Sequence, residues 1–226
     1  MVPLRAADPH ISAEERTQVL KWLVESHKEF IMAIGGVSDA QWKWKPAPAE
    51  WSVGETAEHV VLAEALLFGF VRKALAASPN PAWEEQTKGK TELLVRALPS
   101  GEGNATAPEP LVPREGLTRA QATERFEKQR VDIVTFASET QRALKEHTLV
   151  HPFPSSARST LISGSSTCLC TRFITTSRLR KLRRVLDILQ TGSSSNRVGA
   201  IGYLAPTARD DGAQPADTGD GEIAGK

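Results

Sequence analysis

Residues 49–71 read AEWSVGETAEHVVLAEALLFGFV, and the reading of this stretch decides the fold. Ser52 followed by Glu55 is a capping box, with Trp51 just before the cap. Such a box satisfies two of the N–H groups that a helix start leaves without partners. Val60, Ala63, Leu66 or Leu67, Phe70 and Leu75 then recur at helical spacing and make one long apolar stripe. SPNP, at residues 78–81, ends the helix. His59 stands four residues before Ala63, which places it on the core-facing side. A lone histidine there is ordinarily a core residue with one hydrogen-bond partner. The sharper reading, a metal ligand, needs companions from elsewhere in the chain.

Outward from this helix the same punctuation repeats. Ser12 and Glu15 open an earlier helix with apolar positions at Leu20, Leu23, Phe30 or Ile31, and Ile34. Gly35 and Gly36 end it. Ser38 and Gln41 open a short helical turn carrying Trp42 and Trp44, stopped by Pro46 and Pro48. Trp42, Trp44 and Trp51 read as packing elements that lock the start of the second long helix. Residues 78–117 read as a long, Pro- and Gly-rich connection, which suggests a crossover rather than a tight hairpin. Thr118 and Gln121 open a third long helix with Phe126, Ile133, Ala137 and Leu144 on one face. It runs out near KEHTLVHPFP, where Pro152 and Pro154 forbid continuation.

The chain has 226 residues and a formal charge of +1, so the overall balance gives no support to a nucleic-acid partner. The first residues lack the apolar core of a secretory signal. The longest apolar run is too short to span a bilayer and contains Glu64. A cytoplasmic protein without a membrane partner is the expectation. Cys168 and Cys170 are one residue apart, a spacing that suits neither a disulfide framework nor a zinc knuckle. Arg178, Arg180, Lys181, Arg183 and Arg184 form a dense basic patch within residues 172–184. It invites a nucleic-acid reading, but arginine is also what GC-rich codons yield in a wrong frame, so nucleic acid is not the expected partner.

The helices, the Pro-rich crossover and the phrase GVSDAQWKWKPAPAEWSVGETAEHVVLAE together resemble the DinB-like superfamily of four-helix bundles. The resemblance covers residues 13–154, and its most specific piece runs from Gln41 and Trp42 through Pro46, Trp51 and Ser52 to His59. It implies an all-α four-helix bundle with a long crossover. It implies a divalent metal, zinc or nickel, held by three histidines, one near the start of the second long helix and two as H-x-x-x-H on the fourth. His59 matches the first. Histidines at i and i+4 lie one above the other on a helix and can reach one ion. The bound metal would lower the pKa of a water or thiolate and generate a nucleophile near neutral pH. Metal-dependent hydrolases and thiol S-transferases are the activities the resemblance implies, with a small-molecule substrate, and its members are often homodimers.

No histidine follows His151, so the fourth-helix pair is absent. All five tryptophans and all five histidines lie at or before His151, and from Ser155 the text turns rich in Ser, Thr, Arg and Gly. A change of reading frame produces such a break. Under SSARSTLISGSSTCLCTRFITTSRLRKL, residues 155–182, synonymous codons permit VFGTLDAYQWLFYVPLHTVHHNKQIAEV in the alternative frame. That string holds H-x-x-x-H, its two histidine codons straddling Cys170–Thr171 and Ile174–Thr175. Loss of one base in the C-rich run encoding HPFP, residues 151–154, would suffice.

The expected organisation is an extension over 1–12, a bundle of three helices over 13–154, an aberrant segment over 155–190 in place of the fourth helix, and a disordered tail over 191–226. The expected metal site is incomplete, with His59 as the ligand retained. His147 and His151 are expected to be solvent-exposed, and Glu58 and Glu64 to be surface or supporting carboxylates, Glu64 on the surface. Two alternatives stay open: a non-catalytic bundle that holds a small apolar ligand, and an interaction protein acting through the basic tail.

Overall fold

The computed structural model describes residues 7–45, 47–89 and 107–149, and the backbone of 159–160. The fold is all-α. Its long helices are α1 (Ala13–Ile34), α3 (Val53–Ala76) and α5 (Arg119–Glu139), joined by the short helices α2 (Asp39–Lys43) and α4 (Trp83–Thr87). Single 3-10 turns occur at Glu109–Leu111 and Leu144–Glu146. Two-residue strands, Thr148–Leu149 and Ser159–Thr160, pair antiparallel.

Every helix start predicted from a capping box is built that way. Ser12, Ser38, Ser52 and Thr118 each accept from the backbone N–H three residues on, while the side chain at that position reaches back to the cap N–H. Four orphan donor pairs are thereby satisfied by local sequence alone. Helix α5 is the central element of the described residues and packs against both α1 and α3. Phe30 and Ile34 of α1, Val53, Ala57, Val60 and Val61 of α3, and Phe126 of α5 share one core, and the Phe30 and Phe126 ring centroids lie 4.0 Å apart with the rings tilted by 32°.

The structure corrects three details. On α3 the buried stripe passes through Val71 between Leu67 and Leu75, and Phe70 is only half-buried. Helix α5 stops at Glu139, well before the prolines, because Arg16 of α1 donates to the carbonyls of Ala137, Ser138 and Thr140. Leu144 is therefore off the helix, yet it is buried against Val71 and Leu75. The connection over 78–117 is not uniformly irregular: it contains α4 and the turn at Glu109–Leu111.

Residues 107–117 form a strap along α3. Ala107 and Leu111 bury themselves against Ala63, with Trp51, Leu62 and Leu66 around them. The strap closes the side of α3 on which His59 lies.

Candidate functional site

His59 is buried, 2% exposed, between Trp51 and the strap. The Trp51 and His59 rings stand 4.9 Å apart at 45°. His59 Nδ1 lies 2.7 Å from the carbonyl oxygen of Leu111. A carbonyl can only accept, so the imidazole donates from Nδ1; in the neutral form of such a ring the lone pair lies on Nε2. An imidazole pinned by Nδ1–H to a backbone carbonyl is the arrangement that metal-binding histidines use, since it fixes tautomer and orientation together.

Glu58, beside His59 on α3, is 1% exposed. Its Oε1 accepts from the N–H groups of Arg114 (2.6 Å) and Glu115 (2.8 Å), and its Oε2 from that of Leu117 (3.1 Å). Leu117 is held from its other side as well, its carbonyl accepting from Trp42 Nε1 at 2.9 Å. Trp42 in turn lies against α3 at Gly54, where an added Cβ would overlap Nε1 of the indole.

Glu64 is not a surface residue. It is 2% exposed and pairs with Arg130 Nη2 at 2.6 Å, in the interior shared by the three long helices. Arg130 Nη1 also donates to the Leu23 carbonyl (2.8 Å) and Ser26 Oγ (2.7 Å), and its guanidinium lies 4.7 Å over the Phe126 ring. Burial pushes the Glu64 carboxyl up to about 7, against the opposing pull of Arg130. The sequence held a signal for this pair: Arg130 occupies the core phase of α5, four residues after Phe126 and three before Ile133. A cation in that register needs a buried partner.

His147 is likewise not solvent-exposed. It is buried, and its Nδ1 donates to the Ala74 carbonyl at 3.0 Å, while Arg142 donates to the Leu75 carbonyl at 2.7 Å. Both cap the end of α3, far from His59 along that helix. Trp42 is in the core and Trp44 packs against it, as their reading required. His151, Cys168, Cys170 and the basic stretch 172–184 lie outside the described residues.

Among the described residues no group of three or more His, Cys, Asp or Glu side chains is placed to hold a metal ion. The described residues do not fit a closed metal centre. No helix among them is long and apolar enough to cross a membrane. In comparison with known proteins, the family model described as DinB superfamily matches residues 13–162. No curated protein and no solved structure matches.

Proposed function

The chain belongs to the DinB superfamily, and from that premise we propose a descent from its divalent-metal-dependent hydrolases or thiol S-transferases, with His59 as the one metal ligand retained. The observation that carries this reading is the hydrogen bond from the His59 Nδ1–H to the Leu111 carbonyl, the anchoring that metal-ligating imidazoles use. Zinc or nickel bound there would supply a nucleophile at neutral pH by lowering the pKa of a water or thiol. What this chain's residues do is narrower. Trp51 and the strap bury the imidazole, and Leu111 selects its tautomer. No chemical step is assigned, because the described residues bring no group of three ligands together.

Those ligands are accounted for by the frame. Residues from about 155 to 226 are an out-of-frame translation, and the H-x-x-x-H encoded beneath residues 171–175 is the missing pair. With the frame restored, the protein is a metal-dependent enzyme acting on a small molecule, and a homodimer. The coding DNA around Pro154 and metal analysis of purified protein test this together. The printed full chain should carry well under one equivalent of zinc or nickel. Insertion of one base in the HPFP run should raise this to about one, and His59→Ala in that restored protein should weaken metal binding by at least roughly 100-fold. Full metal content in the restored His59→Ala protein refutes the ligand assignment. A restored protein that stays metal-free leaves the non-catalytic binding module as the better reading.

A further inference from the structure

We propose that Glu58 is a positioning residue: its carboxylate holds the 111–117 strap so that the Leu111 carbonyl meets the Nδ1–H of His59. The consequence is an imidazole confined to one tautomer and one orientation.

Glu58 and His59 are consecutive on α3, and both are bonded to the same short segment of chain. His59 takes its first residue and Glu58 takes three amides near its end. The strap folds back at Gly116, which has φ +64, a conformation that glycine adopts without cost. That turn returns the Leu117 N–H to Glu58 Oε2 after Arg114 and Glu115 have used Oε1. Trp42 holds the Leu117 carbonyl, so the far end of the strap is fastened on both sides.

The near end is a 3-10 turn, in which the Leu111 N–H donates to the Pro108 carbonyl at 2.8 Å and the Val112 N–H to the Glu109 carbonyl at 3.2 Å. Ala107 and Leu111 pack on Ala63 through apolar contact, which fixes depth but not the direction of a carbonyl. The turn's own bonds fix its local shape, and the amides bonded to Glu58 fix how that turn is set against His59. Side-chain acceptors that collect several backbone N–H groups act as a rigid template for a loop. The functional weight of the proposal rests on His59 being the retained ligand, but the tautomer is a property of the metal-free protein, so the two readings fail separately.

The test uses the full-length, metal-free chain labelled with 15N-histidine. Long-range 1H–15N correlation reads the tautomer of each ring, and His59→Ala identifies the His59 signal. In the wild type His59 should show only the Nδ1–H form. Glu58→Ala should give nitrogen shifts averaged between the two tautomers, with helical circular dichroism unchanged. Glu58→Gln keeps one carbonyl oxygen where Oε1 stands and should lie between the two. A His59 ring still confined to the Nδ1–H form in folded Glu58→Ala overturns the proposal. Should Glu58→Ala not fold, amide exchange in the wild type decides: Arg114, Glu115 and Leu117 should exchange at least roughly 100-fold more slowly than free amides. Free-amide rates at those three positions, with the helices still protected, overturn it as well.

Discussion

Glu58 and Glu64 show how differently two buried carboxylates on one helix can be treated. Glu58 accepts three backbone N–H groups. Among the described residues Glu64 has one ionic partner, Arg130, and burial is the larger influence on it. Its ordinary value of 4.5 is raised to about 7 in the folded chain. Between those two values the folded protein keeps the proton and the unfolded chain releases it. Stability contributed by Glu64 is therefore full below about pH 4.5 and is lost as pH rises through about 7. His27 runs the other way: burial, and then the Arg130 charge, hold its imidazole below the usual range, so its contribution is lost as pH falls. Comparison of the wild type with Glu64→Gln isolates the carboxylate. Urea unfolding should show the stability of the wild type relative to that variant dropping by roughly 1–3 kcal/mol between pH 5 and pH 8. Parallel stability profiles would rule this out. Neither burial was legible from spacing to His59, because a residue's neighbours across a bundle are set by the partner helix and not by its own.

The helices themselves are where local sequence speaks most directly. The four boxes that open at Ser12, Ser38, Ser52 and Thr118 each became a helix start, because the cap bonds form within four residues. Helix ends obeyed a different authority. The last carbonyls of α5 are taken by Arg16, and those of α3 by Arg142 and His147, partners remote in sequence. Packing between elements shows the same division. Gly54 is a poor helix former on propensity, and alanine there would gain about 1 kcal/mol in an isolated helix. In this protein the indole of Trp42 occupies the space a methyl would need. Gly54→Ala should destabilise the chain by roughly 1–3 kcal/mol, since the indole must move and its bond to the Leu117 carbonyl must lengthen. Chemical denaturation followed by tryptophan fluorescence measures this, and a stabilised variant would show that the indole yields at no cost.

At the level of the molecule, three long helices among the described residues pack around α5, and of the residues where a fourth was expected only Ser159–Thr160, a short strand, are described. Val24, Met32 and Val131 expose 64, 59 and 65% of their area, on α1 and α5. A bundle deprived of its fourth helix leaves apolar faces without cover and loses cooperativity. The printed chain should therefore melt over a broader range, and at lower temperature, than the frame-restored protein. Calorimetry of the two decides it: an equally sharp, equally high transition for the printed chain counts against the frame reading.

Read as text, the chain already specified its all-α class, the starts of its three long helices and of α2, and the phrase that carries His59. Capping and periodicity are contacts made within a few residues, so they are written locally. The state of His59, the burial of Glu58, Glu64 and His147, and the point where α5 stops came from folding. Each depends on a carbonyl, an amide or a guanidinium delivered from a distant segment, and proximity of that kind exists only once the helices have packed.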